Sequence, residues 1–422
     1  MNQETISAQP SCADDYDPHS LPVREALQRI DAVVMPVTGF EQVALRSALG
    51  RVLAEAVTSP IEVPAHTNSA MDGYAVRAAD MPNEGLRELT VIGTALAGSP
   101  SMASVRPGTA VRIMTGAVLP EGADSVVMQE HVERRGDRIR VGTGHRIGQN
   151  VRRAGEDIAR GATVLEPGRS LQPADLGVLA SLGIAEIKVW RRLRVAFFST
   201  GDELRSLGET LGKGEIYDSN RYTLYAMLIR LGIEIIDMGV VRDCRKDLQQ
   251  TLIEAARSAD AIITSGGVSV GEADFVKETL GTLGEVNFWK IAMKPGRPLA
   301  FGRVQDAVFF GLPGNPVSVM VTFYQFVQPA LQRMMGQSKV EAMTFKVPCA
   351  TPLKKRPGRM EFQRGILKRQ ADGSLVVHST GDQGSGILSS MSRANCFIIL
   401  PDESGSIAAG TLVEVQPFAG LP

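Results

Sequence analysis

The sequence predicts a multidomain α/β plus β fold arranged around one doubly wound α/β domain, and three observations carry that reading. The chain has 422 residues, whereas single hydrophobic cores stop growing at roughly 250–300 residues, so three or four domains are expected. Between Leu193 and Phe323 short β-branched runs alternate with helically spaced apolar residues, the pattern of a parallel sheet covered by helices. On both sides of that stretch the texture changes to short runs interrupted by Gly and Pro, as in small β-rich domains.

Residues 1–20, with Pro10, Asp14, Asp15, Asp17 and Pro18, lack an apolar face and are expected to form a flexible tail. Val23, Ala26, Leu27, Ile30, Val33 and Val34 recur at helical spacing, and Leu45, Ala48, Leu49 and Leu53 predict a second helix packed against the first. From 59 to 148 the runs Thr90–Gly93, Ala110–Ile113, Ser125–Met128 and Arg138–Val141 predict a β-rich insert, after which helical texture returns at Pro173–Leu182. The helical pieces 21–58 and 149–190 therefore read as one discontinuous domain with that insert inside it. The α/β domain is expected over 191–338, with strands at Arg194–Phe198, Ile233–Ile236, Ala261–Ile263, Val286–Phe288 and Ala307–Phe310. Short runs from Thr344 to Val415 predict a small C-terminal β-barrel or sandwich over 339–422.

Composition narrows the function. Lys plus Arg number 45 against 46 Asp plus Glu, a net charge of −1, so no global positive field argues for nucleic acid or an anionic membrane. No apolar run approaches the roughly 18 residues a spanning helix needs, and the acidic start has no apolar targeting core. Cys12, Cys244, Cys349 and Cys396 form no CxxC pair, which fits a reducing cytoplasm and argues against a disulfide framework or a zinc knuckle. His19, His66, His131, His145 and His378 never fall at i, i+3 or i, i+4, so a histidine metal site is not expected.

In a doubly wound sheet, ligands bind beyond the carboxyl ends of the strands. Three loops should meet there: Ser199-Thr200-Gly201-Asp202-Glu203, Ser265-Gly266-Gly267-Val268-Ser269-Val270-Gly271 leading to Asp274, and Gly311-Leu312-Pro313-Gly314-Asn315-Pro316. Glycines at a strand end let backbone amides face an anion, and Glu203 or Asp274 could hold a divalent cation beside it. One such turn alone is weak evidence, since turns use glycine whatever they bind, but three on one rim are not. Lys290 and Lys294 sit close to the rim in sequence; Lys294, beside the stiff Pro295-Gly296, is the better phosphate partner, and Lys290 reads equally as a solvated lysine. Asp243 either faces the same pocket or caps the helix starting at Arg245.

Ten motifs in consistent order, from Ser69–Ala75, Thr115–Asp124, Arg153–Ile158, Ser199–Leu204, Tyr217–Asn220 and Ser265–Asp274 to Lys290–Pro298, Leu312–Pro316, Glu361–Gly365 and Gly384–Gly386, closely resemble the molybdopterin molybdenumtransferases. These form the MoeA family, related to the C-terminal part of gephyrin, and the resemblance runs from about Leu21 to Val415. It implies that the α/β domain binds molybdopterin and that the protein is a homodimer whose cleft lies between that domain and the partner's β-rich insert. It also implies an Mg²⁺-dependent reaction in which molybdate is inserted into adenylylated molybdopterin with release of AMP, the substrate coming from a partner adenylyltransferase. Carried over by motif, Asp72, Thr115, Asp157, Glu203, Asp243, Asp274, Lys290 and Lys294 would be catalytic, with Glu203, Asp243 and Asp274 holding metal. Pro313, Pro316, Arg364 and Ser385 match as substrate-binding positions. The chain departs from the usual pattern at Ala65-His66-Thr67 and at Arg297, where Lys is common; neither is a matched carboxylate.

Overall fold

A computed structural model describes residues 19–267, 274–338 and 341–418, with residues 274–277 described by their backbone alone. They fall into two compact units, one holding the described residues of 19–41, 50–52 and 189–418 and the other those of 42–49 and 53–188.

The first unit contains α1 (Val23–Val33) and the α/β domain: β1 (Arg194–Thr200), α2 (Ser219–Arg230), β2 (Glu234–Val241), α3 (Arg245–Ser258), β3 (Ala261–Ser265), α4 (Asp274–Leu283), β4 (Gly284–Lys290), β5 (Pro298–Val304), β6 (Ala307–Leu312) and α5 (Pro316–Thr322). The sheet order is β2-β1-β3-β6-β5-β4. Its first four strands are parallel, and β5 and β4 add on antiparallel. β3 and β6 are buried at every position, and β1 at all but its first, because a parallel strand covered on both faces has no solvent side.

The two-residue period sends alternate side chains into two cores. Val195, Phe197, Ile263, Val308 and Phe310 pack with Ala26 and Ile30 of α1 and Leu224 and Leu228 of α2. Their neighbours Ala196, Phe198, Ile262 and Phe309 pack with Leu248, Leu252 and Ala255 of α3 and Leu280 of α4. After α5 the helix passes through a π-helical turn, Phe323–Val327, before Gln328–Met334. Pro329 explains the turn, since it offers no amide to the carbonyl four residues earlier.

The C-terminal part of this unit comprises β7 (Phe345–Pro348), β8 (Met360–Arg369), β9 (Leu375–Ser379), α6 (Leu388–Arg393), β10 (Cys396–Leu400) and β11 (Leu412–Pro417). The short strand Met293–Lys294 joins its edge, running parallel to β8 with Lys294 opposite Glu361. That pairing links the segment after β4 to the C-terminal sheet.

The second unit holds a six-stranded sheet in the order Ser125–Met128, Gly73–Val76, Thr109–Ile113, Arg87–Ala95, Arg138–Val141, Val132–Arg135. The expected split helical domain is not all-helical. Leu45–Ser47 is a single 3-10 turn after the strand Phe40–Ala44, not a helix through Leu53. Gly50, at φ +73°, follows too closely for a helix to nucleate, and Leu49 is exposed while Leu53 is buried. Over 149–190 one helix, Pro173–Ser181, stands among the strands Val151–Arg152, Thr163–Leu165 and Glu186–Trp190. Among the described residues, no helix is long and apolar enough to cross a membrane.

Candidate active site

The carboxyl ends of β1, β3 and β6 open onto a cleft of about 1480 Å³. Thr200, Gly201, Asp202 and Glu203 line it after β1, Asp243 after β2, Gly266 and Gly267 after β3, and Pro313, Gly314 and Asn315 after β6. The far side is built from Lys294 to Pro298 and from C-terminal residues including Lys354, Arg359, Glu361, Gln363 and Asp382 to Ser385. Ser269 and Gly271 lie outside the described residues, as does the side chain of Asp274.

The strand-end wall is positioned by main chain. Gly266 has φ +88°, and a Cβ there would come within 2.4 Å of the Thr200 carbonyl oxygen, so the loops after β1 and β3 touch only because this residue has no side chain. Beneath them the hydroxyls of Ser199 and Ser265 hydrogen-bond each other at 2.9 Å, fully buried. These two serines support the rim and do not line it. The Asp243 amide donates to Asp202 Oδ1 at 3.3 Å, joining the loops after β1 and β2. Cys244, not Asp243, is the N-cap residue of α3, its sulfur accepting from the Asp247 amide. Asp243 is thereby a cleft residue.

The C-terminal wall is positioned by buried side chains. The Arg364 guanidinium, 1 % exposed, donates from Nε to Ser390 Oγ at 3.0 Å and from Nη2 to the Gly384 carbonyl at 2.9 Å. Burial pulls its pKa down to about 10, partly opposed by nearby Asp382. The Gln383 Oε1 accepts from the Arg364 amide at 2.8 Å, and the Val317 amide donates to the Ser385 carbonyl at 3.1 Å. Arg364 thus sits behind the loop that presents Ser385, which lines the cleft.

Three carboxylates, Asp202, Glu203 and Asp243, line one rim of the cleft without converging on a common point. Among the described residues, no cluster of three His, Cys, Asp or Glu stands ready-made for a metal. Asp274, the remaining carboxylate expected to hold metal, is the first residue of α4.

Three family models match the chain in succession: the MoeA N-terminal region (domain I and II) over residues 21–183, the probable molybdopterin-binding domain over 196–333, and the MoeA C-terminal region (domain IV) over 346–418. A molybdopterin molybdenumtransferase of Haemophilus influenzae is 47 % identical over 386 residues, 91 % of this chain and 95 % of that one. The chain belongs to the molybdopterin molybdenumtransferase family. The crystal structure of a molybdopterin biosynthesis moeA protein from Pyrococcus horikoshii superposes with a TM-score of 0.83 at 31 % identity, covering 94 % of this chain and all of the other. Gephyrin of Dictyostelium discoideum is 32 % identical over 89 % of this chain and 59 % of its own length.

The motif positions of this family separate into groups. Glu203, Asp243, Lys294, Pro313 and Ser385 come together on the cleft, whereas Lys290 and Pro316 do not line it. In the second unit Asp72 and Thr115 form one pair: Asp72 Oδ1 accepts from both the amide and the hydroxyl of Thr115, each at 2.7 Å. Those two bonds hold the Asp72 carboxyl below its ordinary range. Asp157 lies on the adjoining segment, where its amide donates to the Val63 carbonyl and Val151 pairs with Ser69. Motif reading missed Lys354 and Arg359. The cationic run Lys354-Lys355-Arg356-Pro357-Gly358-Arg359 was the available signal.

Proposed function

We propose that the cleft binds adenylylated molybdopterin and molybdate, and that the protein cleaves the phosphoanhydride, releasing AMP as molybdenum passes to the dithiolene sulfurs. The observation that carries this reading is a cleft lined by carboxylates at the strand ends and by an excess of cations, beside Glu361 and Asp382, on the C-terminal side. Asp202, Glu203 and Asp243 stand at the ends of β1 and β2, and Lys294, Arg297, Lys354 and Arg359 stand toward the C-terminal sheet. Glu203, Asp243 and Asp274 would hold Mg²⁺, which when bound offsets the charge of the anhydride as its P–O bond breaks. The Gly267 amide faces phosphate oxygens in this reading, the Gly266 amide being taken by the Leu312 carbonyl at 3.2 Å, and Lys294 supplies a fixed positive charge for an oxyanion.

The working form in this proposal is a cytoplasmic homodimer in which the partner subunit's Asp72, Thr115 and Asp157 complete the cleft, fed by an adenylyltransferase. Tyr222, Tyr225 and Ile229, exposed at i, i+3 and i+7 on α2, supply an apolar stripe suited to a second copy. The four-part division into 21–58 with 149–190, 59–148, 191–338 and 339–422 is proposed on the same basis.

The test combines the whole chain with adenylylated molybdopterin, Mg²⁺ and molybdate. Molybdate-dependent AMP release is expected, with Glu203→Gln lowering kcat about 1000-fold at unchanged oligomeric mass. Molybdate-independent AMP release, or full activity in Glu203→Gln, would reject the reading.

A further inference from the structure

Glu361 is a carboxylate where two effects oppose one. It lies on β8 in the C-terminal wall of the cleft and is 6 % exposed. Taking a charged carboxylate out of water costs free energy unless partners compensate, and in a cleft whose proposed ligand is an anion the same charge repels that ligand. The motif Glu361–Gly365 contributes Arg364 to the site, and no part in the reaction falls to Glu361. What the carboxylate touches shows why it is there.

Gln363, two residues along and on the same face of β8, donates from Nε2 to Glu361 Oε2 at 2.9 Å and to the Lys354 carbonyl at 2.9 Å. That leaves Oε1 facing Lys294 Nζ at 3.9 Å. The parallel pairing of Met293–Lys294 with β8 sets Lys294 directly opposite Glu361, so the two side chains share a sheet face. A second cation, Lys355, is also near. Burial holds the Lys355 pKa below the ordinary lysine value, opposed by the charges of Glu361, Asp402 and Glu403. Its three protons go to the carbonyls of Ser404 at 2.8 Å, Arg356 at 3.2 Å and Asp402 at 3.3 Å, so it does not claim Oε1. The Lys294 side chain is 52 % exposed, a long stem in open cleft that has much rotamer entropy to lose when it engages a ligand.

We propose that Glu361 is a positioning residue for Lys294: its carboxylate, set by Gln363, holds the lysine ammonium over the cleft before the pterin nucleotide binds. The inference rests on the function proposed above for the identity of the ligand and for the part Lys294 plays in turnover. At 3.9 Å the two charges attract without a close hydrogen bond, which leaves the ammonium's protons available to a phosphate oxygen. The charge of Glu361 weakens ground-state binding of the anion, whereas a lysine placed in advance acts where charge develops as the P–O bond breaks. Loss of the charge should therefore move affinity and turnover in opposite directions. A purely structural carboxylate would move them together, with stability.

The test is steady-state AMP release by the whole chain with adenylylated molybdopterin, Mg²⁺ and molybdate, in Glu361→Gln, Glu361→Asp, Lys294→Gln and Glu361→Gln/Lys294→Gln. Glutamine keeps the acceptor for Gln363 and removes the charge, so kcat is expected to fall about tenfold while KM for the pterin nucleotide falls about threefold, at an unaltered unfolding midpoint. Glu361→Asp, which keeps the charge, should hold KM within about twofold of the parent and recover part of kcat. In the Lys294→Gln background, Glu361→Gln should change kcat by less than about twofold, because no lysine is left to place. Loss of kcat that persists undiminished in that background overturns the proposal, as does parental kcat in Glu361→Gln. A raised KM with a lowered unfolding midpoint also overturns it, making Glu361 a brace for the Gln363–Lys354 contact. Calorimetric binding of adenylylated molybdopterin without molybdate separates this outcome from the reaction. If the parent binds the nucleotide and never releases AMP, the proposed reaction is rejected and the variants are judged on Kd. Weakening by Lys294→Gln of about tenfold in the parent but less than about threefold beside Glu361→Gln supports the proposal. Equal weakening in both backgrounds overturns it, and a parent that binds no nucleotide overturns both readings.

Discussion

The two walls of the cleft are built by different physical means. On the strand-end wall the side chains that could contact ligand, Asp202, Glu203 and Asp243, are short-range consequences of where β1 and β2 stop, and glycine at 266 lets the loops meet. On the C-terminal wall Ser385, Lys354 and Arg359 are held from behind by Arg364, Gln383, Gln363 and Lys355, side chains whose partners are mostly distant in sequence. A wall held by main chain fails through steric intrusion. One held by buried polar side chains fails through loss of a donor, because carbonyls that relied on it lose their partner.

The largest effect on stability should follow removal of the Arg364 guanidinium. Arg364→Ala opens a cavity and takes donors away from Gly384 O and Ser390 Oγ. Burial disfavours the charged form at this site, so the lost contacts are partly offset by relief of desolvation. The net cost should be about 3 kcal/mol in denaturant unfolding. Hydrogen exchange should accelerate across residues 380–386 and stay unchanged in β1 and β3. Equal acceleration in both walls would erase the distinction drawn between them.

The converse intrusion is Gly266→Ala. A Cβ placed 2.4 Å from the Thr200 carbonyl at φ +88° forces the loops after β1 and β3 apart. A fall of about 100-fold in kcat/KM, roughly 2.7 kcal/mol, is expected for AMP release. Molybdate affinity should remain within about twofold, since the C-terminal wall does not depend on this contact. A large loss of molybdate affinity would place the oxyanion on the glycine wall instead.

How much of this was legible follows the same division. The alternation of Val195-Ala196-Phe197-Phe198 and Ala261-Ile262-Ile263 predicts two-sided burial, and the cores bear it out residue by residue. The rim loops are readable because a strand end and its glycines are neighbours in sequence. The wall held by Arg364 is not, because its partners lie 18 to 26 residues away and no local pattern encodes a guanidinium buried against carbonyls. Leu45 to Leu53 misled for a related reason: apolar spacing compatible with a helix was overruled by Gly50 and by the strand before it.

The smallest effect tests whether stability can be altered without touching either wall. Asp260 precedes β3, at the sheet end opposite the rim. Its carboxylate accepts from Arg191 Nη1 at 2.8 Å and Nη2 at 2.7 Å and from the Arg194 amide at 2.9 Å. Burial pushes the Asp260 pKa up, but the Arg191 and Arg194 hydrogen bonds outweigh it, and the net shift is below the ordinary 3.8. A carboxyl depressed on folding stabilises the native state above its unfolded pKa, and that contribution disappears as pH falls through the folded value. Asp260→Asn should therefore cost about 2 kcal/mol at pH 7. The gap between variant and parent should close as pH drops below the ordinary carboxylate value. Turnover at pH 7 should be unaffected below the unfolding temperature. A gap that persists unchanged into acid would mean the cost comes from packing around Asn, not from the ion pair with Arg191.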